Sequence, residues 1–327
     1  YQPIDKDIPH VFRHTFTTIE PSIDPNYIIL VANGLDGAWI DSFANYRADL
    51  NKFDVLIADL DDVMTGYTGS STYPTPNIIR DYLEALWDWS PAGERPTYLL
   101  LIGDHEDPPE GSGYPDWFLP SRTIPDACNT PWAPFEAAND DWFVYFDESR
   151  DIFSMLPDMI VGRLSARTDG ELQPMLELIV EFEEPFGQSS PGWMARRREL
   201  LRMSGQCDKA PDPWNPSEEW LADVADCLAE TFMKNTECGT IGVFASSNPS
   251  YTGRYQTIAS GIMEGLYWRG LTRIGDAVSY YRLQSASSYV GDDGLFSREY
   301  ARFNLLGDPA VDIGDRMKYP SYCDIII

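Results

Sequence analysis

The sequence predicts an α/β fold in which a parallel β-sheet carries helices on both faces. Short apolar runs of strand length recur along the chain, and amphipathic helical patterns separate most of them. This alternation is typical of a parallel sheet, because each crossover between parallel strands needs a connection long enough for a helix. Ligands of such sheets bind beyond the carboxyl ends of the strands, so functional residues are expected there.

Six apolar runs are short enough to be strands. They cover residues 26–33, 53–60, 97–104, 158–164, 198–205 and 240–247. Five amphipathic patterns between or after them predict helices, over residues 37–52, 75–89, 168–184, 214–235 and roughly 253–269. The helix over 75–89 has the clearest pattern, because Thr75 can cap it and Pro76 suits its first turn.

Two polar stretches, residues 105–140 and 141–157, interrupt the alternation and are predicted loops. The first is rich in Pro, Gly and Asp, which suggests a boundary between two α/β halves. The predicted organisation is an N-terminal segment, a first subdomain, a second subdomain that bears Cys207, and the start of a following segment or domain. Their bounds are residues 1–25, 26–139, 140–313 and 314–327.

The composition excludes several kinds of partner. The 327 residues are 43% hydrophobic and 13% aromatic, which indicates a globular protein with a sizeable core. The 52 acidic and 24 basic residues give a formal charge of −28, which argues against nucleic acid and anionic membranes as partners. This acidity favours an extracellular setting and supplies carboxylates for divalent cations. No apolar run is long enough to span a membrane, and the absence of an initial Met suggests a processed N-terminus.

The chain has five cysteines, at positions 128, 207, 227, 238 and 323. In a secreted protein this odd number permits up to two disulfides and leaves at least one thiol. Cys227 and Cys238 are a candidate pair. Cys207 directly follows a strand-like run and a small polar turn, an arrangement that often displays a nucleophile. A disulfide or a buried, inert thiol is the alternative for this residue.

Several motifs occur in a characteristic order between residues 26 and 313. They are TPNIIRDYLEALWDW, PTYLLLIGDHEDPP, DDWFVYF, PDMIVGRLSARTDGELQPMLELIVEFE, SGQC, DCLAETFMKN, GTIGVFASSNPSYTG and ARFNLLGDPAVDIG. In order and spacing the chain resembles the gingipain-type cysteine peptidases of family C25. The resemblance implies a secreted or cell-surface endopeptidase with a caspase-like fold of two subdomains. It also implies a Cys/His dyad assisted by an acid, with Cys207 as the nucleophile that forms a thioester with protein or peptide substrates.

The resemblance implies structural calcium as well. Asp104 and His105, in the stretch IGDHEDPP, match a calcium-binding element, and Asp147, Asp151 and Asp158 match an acidic loop. Asp104 is the better ligand of the first pair because Ca²⁺ prefers oxygen. The position of His105 after a strand would also suit a general base, and the acidic loop is about equally consistent with a solvated turn. Arg163 is expected in a buried ion pair, and Asp140 and Asp141 are expected to line the cleft or cap a helix.

The chain departs from the family at the catalytic histidine. Its three histidines are His10, His14 and His105, so no Gly-His-Gly motif precedes Cys207. The stretch between Glu184 and Met203 is also shorter than the family pattern. Either the intact protein carries the missing residues, or the protein is an inactive member that acts as a calcium-stabilised structural or binding module on the cell surface. Calcium-dependent adhesion and sortase-like transpeptidation are weaker alternatives.

Overall fold

The structure of the chain is a computed structural model. It describes residues 11–13, 24–35, 37–68, 74–105, 113–125, 136–146, 156–183, 228–235, 240–247, 252–286 and 302–313. The described strands are β1 (Val11–Arg13), β2 (Tyr27–Val31), β3 (Val55–Asp59), β4 (Tyr98–Ile102), β5 (Arg122–Pro125), β6 (Glu136–Asn139), β7 (Ile160–Leu164), β8 (Gly242–Ser246) and β9 (Phe303–Gly307). The described helices are α1 (Ala38–Asn51), α2 (Leu60–Thr68), α3 (Pro76–Trp89), α4 (Asp169–Glu183), α5 (Leu228–Lys234), α6 (Thr252–Tyr267) and α7 (Ile274–Ala286).

Seven of these strands form one sheet, in the order β1–β3–β2–β4–β7–β9–β8. Strands β1, β3, β2, β4 and β7 run parallel in register, with Tyr98 of β4 opposite Tyr27 of β2 and Ile160 of β7. Strand β8 pairs antiparallel with β9. The sheet is therefore mainly parallel, as the alternation of strands and helices predicts, with an antiparallel pair at one edge.

The core lies on both faces of the central strands. Every residue of β2 is fully buried, which requires helices or loops on both sides of the sheet. The α1 helix packs against α4, α2 packs against α3, and α6 packs against α7. None of the described helices is long and apolar enough to cross a membrane.

The structure confirms most of the predicted elements and corrects two predictions. Five of the six predicted strands are present, and the sixth, residues 198–205, lies outside the described residues. The predicted loop over 105–140 contains β5 and β6, which form an antiparallel pair of their own. The sheet is also not wholly parallel, because β8 and β9 pair with each other in antiparallel orientation. The division into two subdomains stays a prediction, although β4 and β7 pair directly across the proposed boundary.

A buried ion network holds together the edge of the sheet at which the parallel strands begin. Arg47 of α1 is fully buried, and its Nε lies 2.7 Å from Asp308 Oδ2 while its Nη1 lies 2.6 Å from Glu183 Oε2. The Tyr27 hydroxyl donates to Asp308 Oδ1 at 2.9 Å. The network therefore fixes α1, α4 and the turn after β9 against β2, away from the edge where ligands are expected.

Candidate active site

The carboxyl end of β4 continues into Gly103, Asp104 and His105, where the sequence predicts site residues. Gly103 has φ +143°, and an added Cβ would lie 2.8 Å from Leu119 Cβ and 2.9 Å from the Trp117 carbonyl oxygen. Glycine is therefore required here, both for the backbone conformation and for the close approach of the neighbouring segment. That segment is held by hydrogen bonds from the Asp104 amide to the Trp117 carbonyl (3.2 Å) and from the Leu119 amide to the Asp104 carbonyl (2.8 Å).

Arg163 of β7 organises the floor of the site. Its Nε donates to Asp140 Oδ2 at 2.7 Å and its Nη2 donates to Asp140 Oδ1 at 2.8 Å, a two-point ion pair. Its Nη1 donates to the carbonyls of Gly103 and Leu119, both at 2.9 Å. The buried ion pair expected for Arg163 is thus present, and it ties β7 to β4, to the segment after Gly113 and to the end of β6.

The two acidic residues after β6 have separate partners. Burial by itself raises the pKa of Asp140, but the charge of Arg163 and its hydrogen bonds outweigh burial and hold that pKa below its usual value. Asp141 instead accepts a hydrogen bond from Arg282 Nη1 at 2.7 Å, which ties the turn to α7. Cleft lining and helix capping were the two roles predicted for these residues. Asp140 lines a cavity, and its side chain makes no capping hydrogen bond.

A cavity of about 480 Å³ opens at this edge of the sheet. Its walls combine apolar side chains with hydroxyl, amide and charged groups contributed by β4, β7, α5, β8, β9 and the segments around β5 and β6. The lining residues include His105, Phe118, Asp140, Arg163, Glu230 and Ser246. A mainly apolar cleft with a few convergent polar groups is typical of a ligand-binding site.

Three residues with metal-type donor atoms lie close together at this edge of the sheet, and two of them, His105 and Glu230, line the cavity. Donor atoms of Asp104, His105 and Glu230 all lie within 4.8 Å of one another. Asp104 and Glu230 are buried, whereas the His105 side chain is 39% exposed. Asp104 Oδ2 accepts a hydrogen bond from Arg167 Nε at 2.6 Å, and its Oδ1 lies 3.8 Å from His105 Nδ1.

The structure places only part of the predicted site. Cys207, Asp147 and Asp151 lie outside the described residues, as do all five cysteines, including the candidate pair Cys227 and Cys238. Asp158 Oδ2 accepts a hydrogen bond from the Phe146 amide at 2.9 Å, and this bond joins the two ends of the predicted acidic loop. Within the part of the chain that the structure describes, Asp158 does not belong to the group of metal-type ligands.

Glu230 is not among the site residues predicted from the sequence. This residue lies in the stretch DCLAETFMKN, on the same buried face of α5 as Ala229 and Met233. A carboxylate on the apolar face of an amphipathic helix is costly to bury without partners, and this was the available signal. Ser246 and Asn304 had no comparable signal, because their place in the cavity depends on the pairing of β8 with β9.

Comparison with known proteins agrees with this architecture. The sequence matches the family model described as peptidase family C25 over residues 20–224 and 215–314. None of the curated proteins is similar enough in sequence to count as a relative. The two matched segments overlap at residues 215–224, which follow Cys207 in the chain.

Solved structures with the same fold include a gingipain and the protein PorU. The Arg-specific cysteine proteinase gingipain R (RgpB) superposes with a TM-score of 0.59 at 14% identity, over 90% of this chain and 80% of that chain. Dimeric latent PorU from Porphyromonas gingivalis superposes with a TM-score of 0.57 at 18% identity, over 89% of this chain and 30% of that chain. The chain thus spans less than a third of the PorU chain. Because the family model covers nearly the whole sequence, this chain belongs to peptidase family C25.

Proposed function

We propose that the chain is a cysteine-type peptidase that cleaves peptide bonds in protein or peptide substrates, with Cys207 as its nucleophile. Membership in family C25 supports the reaction class. The observation that carries the proposal is the cavity of about 480 Å³ at the carboxyl edge of the sheet. Folds of this class bind their ligands at that edge, and the cavity is large enough for a side chain with part of its backbone.

The proposed reaction needs a thiolate at Cys207. The sulfur attacks the carbonyl carbon of the scissile peptide bond, the C–N bond breaks as a thioester forms, and the amine product leaves with the proton that the Cys207 thiol gave up. Water then attacks the thioester carbon, releases the acid product and restores the thiol. Backbone amides near Cys207 would stabilise the negative charge on the carbonyl oxygen in both steps.

Hydrolysis of a peptide library by the 327-residue chain tests this proposal. Product analysis by mass spectrometry should show cleavage that the Cys207→Ala variant loses. Cys323→Ala is the matched control, because Cys323 lies beyond the residues matched to the family and should leave cleavage unchanged. Cleavage that persists in Cys207→Ala would assign the chemistry to another group.

A catalytically inactive member that binds peptides is the second candidate. One observation favours it. His105 is the only histidine of the sequence within the matched residues, and it comes about a hundred residues before Cys207 rather than in a Gly-His-Gly motif. Binding of library peptides without cleavage, by a chain that melts cooperatively, would support this candidate over the peptidase.

We further propose an extracellular or cell-surface location and structural calcium in the acidic loop. The formal charge of −28 supports the proposed location, and fractionation of the source cells tests it.

Asp158 supports the proposed calcium site, because its bond to the Phe146 amide brings the ends of the acidic loop together. Calcium should raise the melting temperature of the chain, and the double variant Asp147→Asn/Asp151→Asn should lose that effect.

A further inference from the structure

The group formed by Asp104, His105 and Glu230 has the composition of a metal site, but not of a calcium site. Ca²⁺ takes six to eight oxygen ligands, roughly, and the carboxylates that bind it must be available to it. Here one of the three donors is a ring nitrogen, and one oxygen of Asp104 already accepts from Arg167. The donor set therefore does not fit the calcium predicted for Asp104 and His105.

The same donors suit a borderline metal ion. Imidazole nitrogen combined with carboxylate oxygen is a ligand set for Zn²⁺ and neighbouring divalent metals. Ligand atoms on one tetrahedral Zn²⁺ lie about 3.3 Å apart, given metal–ligand bonds of about 2.0–2.2 Å. Donor atoms already within 4.8 Å need only a modest contraction, and the partly exposed His105 side chain has room to turn.

Local charge also favours a cation beside Asp104, His105 and Glu230. Asp104 and Glu230 are both buried, and Asp140, which lines the same cavity, is already paired with Arg163. Arg167 supplies one positive charge to Asp104. Because burial strengthens electrostatic interactions, a divalent ion held between Asp104, His105 and Glu230 would be attracted strongly by the two carboxylates.

We propose that Asp104, His105 and Glu230 bind a divalent transition metal of the zinc class. The ion would connect the carboxyl end of β4 to α5, two elements that are far apart in sequence. Three protein ligands leave a fourth position, and His105 and Glu230 both line the cavity, so that position faces a space that water can fill.

Titration of the whole 327-residue chain with Co²⁺ tests the site. Co²⁺ replaces Zn²⁺ in such sites, and its visible absorption reports its ligands. One equivalent should bind with the spectrum of nitrogen and oxygen ligands and without a sulfur charge-transfer band. Zn²⁺ should displace it, an equal concentration of Ca²⁺ should not, and Zn²⁺ should raise the melting temperature.

The variants His105→Ala and Glu230→Gln should each weaken Co²⁺ binding at least about tenfold. His10→Ala and His14→Ala are the matched controls for histidine loss and should bind as the parent chain does. His105 is partly exposed, so its removal should leave the fold intact, and cooperative melting of the metal-free variant checks this. Binding that His105→Ala does not weaken, a sulfur band at one equivalent, or displacement by Ca²⁺ would overturn the proposal.

Discussion

Arg163 and Asp140 form a two-point ion pair beneath the cavity, with Nε–Oδ2 and Nη2–Oδ1 distances of 2.7 and 2.8 Å. They are 23 residues apart in the chain, and both side chains are nearly inaccessible to solvent. Arg163 also donates to carbonyls of two other segments, so a single guanidinium fixes the floor of the site. Only the planar fork of arginine can satisfy several acceptors in this way.

Removal of this guanidinium should strongly destabilise the fold. Arg163→Ala leaves Asp140 buried without its counter-ion, which should lower the free energy of unfolding by about 3–5 kcal/mol in urea titrations. Arg13→Ala is the control, because Arg13 pairs with Asp59 but is 30% exposed, and its loss should cost about 0–1 kcal/mol. Equal losses in the two variants would contradict the role assigned to Arg163.

The carboxyl group of Asp140 should make the free energy of unfolding depend on pH in the acid range. Its pKa in the folded chain lies below the ordinary value of 3.8, so the unfolded chain takes up its proton first as the pH falls. The stabilisation is therefore complete above the ordinary pKa and is lost as the pH falls toward the folded pKa. Between about pH 5 and about pH 3, the free energy of unfolding should fall less steeply in Asp140→Asn than in the parent chain. Parallel pH profiles would show that Asp140 is not the titrating group.

Gly103 should not tolerate a side chain. Gly103→Ala combines an unfavourable φ of +143° with contacts under 3.0 Å, and should cost about 2–4 kcal/mol of unfolding free energy. Gly113→Ala is the control, because nothing lies within 4 Å of its added Cβ, and its effect should stay within about 0.5 kcal/mol. A mild effect at Gly103 would mean that Leu119 and Trp117 do not pack against it as described.

The hydroxyl of Tyr27 should contribute measurably to the stability of the fold, at the edge of the sheet opposite the cavity. Tyr27→Phe removes a buried 2.9 Å bond to Asp308 and leaves Asp308 with Arg47 and the Ala310 amide as partners. The loss should be about 0.5–1.5 kcal/mol of unfolding free energy. Tyr46→Phe removes a longer, partly buried bond of 3.2 Å to Glu183 and should cost less. The reverse ranking would contradict the described network.

Five of the nine described strands and most of the described helices were predictable because their signals are local. Apolar runs such as residues 97–104 and the capped helix over 75–89 carry their own periodicity, and both are present within two residues of their predicted bounds. Strand β9 was identified only as part of a family motif. Its burial alternates because one face of this strand is less covered than the other, and its pairing with β8 is a non-local contact that separate segments of sequence do not reveal.

The candidate site was predictable only in part, because it is assembled by non-local contacts. Asp104 and His105 follow a strand, so the topology placed them at the correct edge of the sheet. Arg163 was recognised as buried and charged, but its partner Asp140 comes from the end of β6, within a stretch predicted to be a loop. Glu230 lies on α5, far from His105 in sequence, and the two residues come close together only in the folded chain.

Covalent labelling tests whether Cys207 is the proposed nucleophile of this C25 family member. The native chain is treated with a peptidyl acyloxymethyl ketone, which reacts with activated thiolates, and the adduct is located by peptide mapping. A single adduct at Cys207 is expected, and it should form more slowly when substrate peptide is present. An adduct at Cys227 or another cysteine, or no adduct on a chain whose thiols react once it is unfolded, would contradict it.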